Sequence, residues 1–193
     1  MKRHLVIFAR TPQFGRVKRR LAEAIGPLAA MRFYRQTLDR QLRTLSRDRR
    51  WTVWLFVTPD PARRRATVRG QGRGDLGQRM KRPFRLLPPG PLVLVGSDIP
   101  AMRPHHIARA FALLGRHDLV FGPASDGGFW LIGARRSRPL PRCLFIGVQW
   151  STAKTLADTL ATIPAGYSVG IADTLDDVDD IDDLQRALPS RRE

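Results

Sequence analysis

Residues 92–100 read LVLVGSDIP, an apolar run closed by Asp98, and residues 126–133 read DGGFWLIG, in which Asp126 opens a second apolar run. In an α/β protein a carboxylate at a strand tip sits where ligands bind, because the sheet fixes its backbone while its oxygens stay free to hold a cation or a hydroxyl. Convergence of the two tips makes a metal-assisted site. Each aspartate is flanked by apolar strand and by Gly or Pro, where an unpaired carboxylate is costly, so a cation, an arginine or backbone donors must meet it.

Outward from these runs, short apolar stretches alternate with segments of helical period, the pattern of strands wrapped by helices. Strands are expected at 4–9, 51–57, 92–96, 118–121 and 129–133. Leu28, Met31, Tyr34, Leu38, Leu42 and Leu45 recur every three or four residues and predict one long helix with a buried face, split by Pro27 from a shorter helix before it. Ile107, Ala110, Phe111 and Leu114 predict another helix, started near Pro104. Leu156, Leu160 and Ile163 predict a third, with Ser151 or Thr152 as its N-cap. Pro88–Pro91 reads as a turn into a strand. The absence of long hairpins favours a three-layer αβα sandwich with a mostly parallel sheet.

The 193 residues, 42% of them hydrophobic, suffice for one substantial core, and a single domain over 1–193 is the expectation. No stretch approaches the ~20 apolar residues of a membrane span and Leu5–Ala9 is too short for a signal-peptide core, which points to the cytoplasm. The lone Cys143 excludes an internal disulfide and a multi-cysteine zinc site, and is read as structural. The net charge of +17 invites a nucleic-acid reading, yet only four of the 34 cations are lysines. The runs Arg47–Arg50 and Arg63–Arg65 lack interleaved aromatics, so solvated faces are the simpler account.

Three constellations can carry chemistry. The first follows strand one, Ala9-Arg10-Thr11-Pro12-Gln13-Phe14-Gly15-Arg16-Val17-Lys18-Arg19-Arg20-Leu21, where a glycine loop entering a helix amid cations suits a phosphate. It lacks the Gly-Lys-Ser/Thr of a Walker A loop, and a basic surface helix is the plain alternative. The second is Gly70–Met80, four of whose glycines crowd eight residues before Leu76, Met80 and Phe84 begin a packed helix, which favours a binding wall over a tether. The third is Asp98, Asp126 and Asp176-Asp177-Val178-Asp179-Asp180. Val178, Ile181, Leu184 and Leu188 fall at helical spacing, so Asp180, Asp182 and Asp183 can equally be an acidic first turn. With only oxygen ligands on offer, Mg²⁺ or Mn²⁺ is the natural metal. His105 and His106 sit at a helix start and read as surface residues.

The motifs Phe8-x-Arg10-x-Pro12-x-x-Gly15-Arg16-Val17-Lys18-x-Arg20-Leu21, Gly74-Asp75-Leu76-Gly77-x-Arg79-Met80, Gly96-Ser97-Asp98-x-Pro100, Gly122-Pro123-Ala124-x-Asp126-Gly127-Gly128-Phe129, Trp150-Ser151-Thr152 and Asp177-Val178-Asp179 together resemble a largely uncharacterised bacterial family. That family lies within the glycosyltransferase-A-like nucleotide-diphospho-sugar transferase superfamily, whose members include 2-phospholactate guanylyltransferase and the molybdenum cofactor guanylyltransferase. The resemblance implies a nucleotide lying across the N-terminal half of the sheet. Arg10, Gly15, Arg16, Lys18 and Arg20 would then receive the phosphates, and Gly74, Asp75, Leu76, Gly77 and Arg79 would flank the base or ribose. Asp98 matches the superfamily's metal-holding aspartate, Asp126 an acidic residue of the acceptor side or second metal carboxylate, and Asp177 or Asp179 the late aspartate that completes a metal site. The family usually has Lys-Thr-Arg where Lys18-Arg19-Arg20 stands, and a cysteine in place of Ile99.

The resulting expectation is metal-dependent nucleotidyl transfer from a nucleoside triphosphate to a small acceptor, with Lys18, Arg20, Asp98 and Asp126 as catalytic residues. The alternatives are a glycosyltransferase using a nucleotide sugar, and a non-catalytic nucleotide or nucleic-acid binding protein.

Overall fold

The computed structural model describes residues 1–62 and 66–187, which leaves Arg63–Arg65 and Leu188 outside the described residues. Its elements run β1 (His4–Arg10), α1 (Arg19–Ile25), α2 (Pro27–Ser46), β2 (Thr52–Thr58), β3 (Val68–Gly70), α3 (Leu76–Leu86), β4 (Leu92–Gly96), α4 (Pro104–Leu113), β5 (Leu119–Pro123), β6 (Phe129–Ala134), α5 (Thr155–Ala161), β7 (Val169–Ile171) and α6 (Ile181–Ala187).

The strands form one sheet in the order β3-β2-β1-β4-β6-β5-β7. Only β6 runs against its neighbours; the β1–β2, β1–β4, β2–β3 and β5–β7 pairs are parallel. Strands buried on both faces read as unbroken apolar runs, and β1 and β4 obey that rule. Alternate residues feed two cores. Leu5, Ile7, Val93 and Val95 pack with Leu38, Leu45, Ile107 and Phe111 of α2 and α4. Val6, Leu92 and Leu94 face the other way, onto Met80 and Phe84 of α3 and Leu156 and Leu160 of α5. The three-layer sandwich is therefore as expected from sequence.

Several local readings need correction. β3 and β7 escaped notice because each has three residues, too few for a period; both are sheet edges, where short strands limit pairing with other chains. The buried stripe of α2 is Ala30, Tyr34, Thr37, Leu38, Gln41 and Leu45, while Leu28 in the first turn is 46% exposed. Gln41 sits in an apolar stripe because its amide donates to the Ile99 carbonyl at 3.1 Å. α5 starts later than expected, after Lys154, so neither Ser151 nor Thr152 is its N-cap; the Thr155 hydroxyl accepts from the Thr152 N–H at 3.2 Å instead. His106 is half-buried against Trp130, and its Nδ1 accepts from the Arg103 N–H at 3.1 Å to close the turn before α4, while His105 is exposed. Burial lowers the pKa of His106, with help from His105. Among the described residues no helix is long and apolar enough to cross a membrane.

Candidate active site

In an open parallel sheet, the loops of two adjacent strands part where the chain order reverses, and the crevice between them binds ligands. Here β1 leads outward to β2 on one side and pairs with β4 on the other, so the crevice opens beyond Arg10 and Gly96. Tyr34 of α2 stitches its rim. The Tyr34 hydroxyl donates to the Arg10 carbonyl and accepts from the Arg10 N–H, both at 2.9 Å, and lies 2.9 Å from the buried Ser97 hydroxyl. Ser97 in turn precedes Asp98.

The acidic segment before α6 is pinned at both ends. The Val178 N–H donates to the Asp98 carbonyl at 3.2 Å, and Asp176 accepts from the Ser125 N–H at 2.7 Å and the Ser125 hydroxyl at 3.1 Å. Asp176 is thus a brace, and Asp180 and Asp183 close the first turn of α6, each accepting from the other's end of that turn. The residues between them are free for chemistry. One carboxylate oxygen from each of Asp98, Asp177 and Asp179 lies within 4.8 Å of the other two.

Lys18 reaches into this group. Its backbone is left-handed, at φ 49°, just before α1. The side chain is 4% exposed, and Nζ lies 2.6 Å from both Asp98 Oδ2 and Asp179 Oδ1. Burial alone would lower its pKa, but Asp98 and Asp179 outweigh that and hold it above the ordinary lysine value. Asp177, which takes no part in these ion pairs, is pushed up to about 7 by burial and then by the neighbouring charges of Asp98 and Asp179. A donor set of oxygens alone, three neighbouring carboxylates of which two already share a cation, fits Mg²⁺ or Mn²⁺.

Two cavities meet at this cluster. The first, of about 660 Å³, is cationic, with Arg10, Arg16, Lys18, Arg20 and Arg79 on its walls. Gln71, 2% exposed, holds the ends of β1 and β2 by donating to the Ala9 and Phe56 carbonyls at 2.9 and 3.2 Å; its Oε1 accepts from Arg79 at 3.0 Å and so aims that guanidinium. The second cavity, of about 440 Å³, is bounded by Asp126, Phe129, Trp150 and Thr152. Arg20, Leu76, Asp98 and Asp179 belong to both.

Most of the expected residues gather here, but not all in the expected places. Asp126 lies on the wall of the second cavity and outside the three-carboxylate cluster; its Oδ1 accepts from the Gly128 N–H at 2.8 Å. Gly127 locks that turn, since it has φ 83° and a Cβ there would collide with the Ala153 carbonyl, while its own carbonyl accepts from the Leu156 N–H at 2.9 Å. Asp75 caps α3 by accepting from the Gln78 N–H at 2.7 Å. Gly77 is a packing residue, because a Cβ there would come within 2.6 Å of the Phe145 Cβ. Gly15 and Gly74 have φ of 67° and 107° and shape their loops without lining either cavity. Tyr34, Ser97 and Gln71 were not singled out from sequence as site residues, since nothing in their spacing marks them. A larger cleft, about 860 Å³ beside α3, is walled by Lys81, Arg85 and Arg142, and among its described lining residues there is no carboxylate.

Similar proteins share this architecture. A protein from Desulfovibrio desulfuricans G20, described as a "putative nucleotide-diphospho-sugar transferase", has 29% identity and a TM-score of 0.87 over 95% of this chain and 85% of its own. The inositol-1-phosphate CTP transferase of T. maritima has 14% identity and a TM-score of 0.59 over 98% and 93%. A Mycobacterium tuberculosis H37Rv protein, solved in complex with manganese, has 16% identity and a TM-score of 0.54 over 98% and 100%. The last two show the fold alone. No curated protein matches the sequence. Residues 34–152, well over half of the chain, match the family described as "Uncharacterized protein conserved in bacteria (DUF2064)", and the chain belongs to that family.

Proposed function

We propose that the protein is a cytoplasmic, divalent-metal-dependent nucleotidyltransferase, which moves a nucleotidyl group from a nucleoside triphosphate to a small acceptor and releases pyrophosphate. The observation that carries this reading is the meeting of a cationic cavity with a carboxylate cluster along one shared wall, at Asp98, Asp179 and Arg20. Arg10, Arg16, Arg19, Arg20, Arg79 and Lys18, five arginines and a lysine, suit the charge of a triphosphate, and unit charges 4 Å apart attract by about 4 kcal/mol at an effective dielectric near 20, before desolvation. The T. maritima CTP transferase and the manganese complex support nucleotide chemistry and a divalent ion on this fold.

Asp98, Asp177 and Asp179 would hold Mg²⁺ or Mn²⁺, which supplies charge neutralisation at the reacting phosphates. The chain's own groups do the rest by position. Arg10, Arg16 and Arg79 bind the phosphate chain, with Arg79 fixed by Gln71. Arg20, where the two cavities join, and Lys18, in the first cavity beside Asp98 and Asp179, take up charge on the departing pyrophosphate. The wall of Asp126, Trp150 and Thr152 faces the acceptor.

A nucleotide-sugar-dependent glycosyltransferase is the second reading, favoured by the description of the D. desulfuricans protein. A thermal-shift panel of nucleoside triphosphates and nucleotide sugars, with and without Mg²⁺ or Mn²⁺, tests the proposal. Metal-dependent stabilisation by a triphosphate, lost in Asp98→Asn, is expected. Stabilisation by nucleotide sugars alone favours the second reading.

A further inference from the structure

If the first cavity takes the nucleotide, the second receives the acceptor, and its walls restrict what can enter. Among the described residues its charged lining is Asp98, Asp126, Asp177 and Asp179 with Arg20, and Lys18 reaches Asp98 and Asp179 from the first cavity. Three of those carboxylates form the cluster that could hold a metal ion. Asp126 remains, held at the cavity edge by one oxygen through Gly128. An anionic acceptor would therefore meet no surplus of positive charge here, because even a divalent ion together with Lys18 and Arg20 only balances the four carboxylates.

The same cavity has an aromatic lining. Trp150 is half-buried, 5.6 Å from Phe145 and 6.4 Å edge-to-face from Phe129, so its ring is held rigid from behind. Ser151 and Thr152 follow it on the lining, and Ser151 is held at φ 61°, a strained setting for a side-chain-bearing residue that places it in this wall. A rigid aromatic face in one cavity with carboxylate and hydroxyl groups fits a molecule that has C–H faces to stack and hydroxyls to donate.

We propose that the acceptor is a neutral polyhydroxylated compound, a sugar or polyol, that attacks through a hydroxyl with Asp126 as its proton acceptor. The inference rests on the nucleotidyl-transfer reading. The hydroxyl oxygen bonds to the α-phosphorus, and the bond from that phosphorus to the α–β bridging oxygen breaks. Pyrophosphate leaves with the electron pair, the hydroxyl proton passes to Asp126 and on to water, and the product is a phosphodiester. A phosphate acceptor would need no such base.

Saturation-transfer NMR on the full chain tests this, with Mg²⁺ and the α,β-methylene triphosphate that binds best. The probes are glucose, glycerol and myo-inositol, each beside its monophosphate. Saturation reaching the C–H protons of a neutral probe, at least about tenfold stronger binding than its phosphate ester, and loss of the effect in Trp150→Ala are expected. In turnover with that neutral probe, Asp126→Asn should slow the rate by about a hundredfold or more; this second variant decides the matter if Trp150→Ala does not fold. Binding by phosphate esters alone, no saturation of any neutral probe, or an unchanged Asp126→Asn rate overturns the inference. Failure of every triphosphate analogue to bind refutes the nucleotide reading itself, whereas analogue binding followed only by phosphorylated probes refutes the acceptor class alone.

Discussion

Replacing Lys18 by Met removes the cation that bridges Asp98 and Asp179 and leaves a side chain of similar length. Each 2.6 Å contact to Asp98 and Asp179 is worth about 6 kcal/mol at an effective dielectric near 20, before desolvation. Deleting one partner of a buried ion pair costs about 3–5 kcal/mol, because the other charge is left uncompensated. The Asp179 side chain is 52% exposed and that of Asp98 27%, so solvent screens part of the loss, and about 2–3 kcal/mol is the expected net cost. For a chain of this size that lowers Tm by about 4–12 °C. A divalent ion at a hundred times its Kd returns about 2.7 kcal/mol. In the native protein the same ion must displace Lys18 and therefore stabilises less. Differential scanning fluorimetry of both proteins in chelator, then across a Mn²⁺ titration, reads both effects. Equal melting temperatures in chelator, with equal shifts in Mn²⁺, would refute the idea that Lys18 holds the place of the metal.

Three other outcomes follow from the same geometry. Asp98→Asn should abolish metal-dependent turnover and keep the native circular dichroism spectrum; an unchanged rate removes Asp98 from the mechanism. The raised pKa of Asp177 means that the folded metal-free chain binds a proton there that the unfolded chain has released, so this group's contribution to stability is full below about pH 4 and is lost as pH rises through about 7. Asp177→Asn should flatten that part of the Tm-against-pH curve, and metal affinity should rise over the same window in the native protein; a curve unchanged by the substitution contradicts the assignment. Gly127→Ala faces both φ 83° and the Ala153 carbonyl, and should cost about 2–4 kcal/mol by urea unfolding, where a change within about 0.5 kcal/mol would show the turn to be more pliant than its contacts indicate.

The strands that carry the site were legible because β1 and β4 are deeply buried and β2, though only partly buried, is apolar, so all three read as apolar runs, and Asp98 was legible because it follows one of them at the point where chain order reverses. Asp126 obeyed the same rule and yet stands apart from the cluster of Asp98, Asp177 and Asp179. Its turn joins antiparallel neighbours, β5 and β6, and the Gly128 N–H draws its carboxylate back into that turn. Lys18 was expected to meet phosphate. Its partners lie 80 and 161 residues away, a distance over which no local pattern encodes contact. Tyr34 read only as part of a buried face, and Gln71 as part of a glycine-rich loop, because a buried polar group reveals its purpose through the carbonyls it satisfies, and those are fixed by the tertiary fold. The acidic tail separated by the same criterion: Asp176, Asp180 and Asp183 are consumed by backbone donors, and Asp177 and Asp179 are not.

The most direct test of the central claim is ³¹P NMR of the products formed from each nucleoside triphosphate, in Mg²⁺ or Mn²⁺, with a mixture of candidate acceptors. Nucleotidyl transfer at the Asp98 cluster predicts pyrophosphate and a new phosphoryl resonance in equal amounts, both abolished by chelator and by Asp98→Asn. Intact triphosphate in every mixture, with nucleoside diphosphate released only from nucleotide sugars, would contradict it.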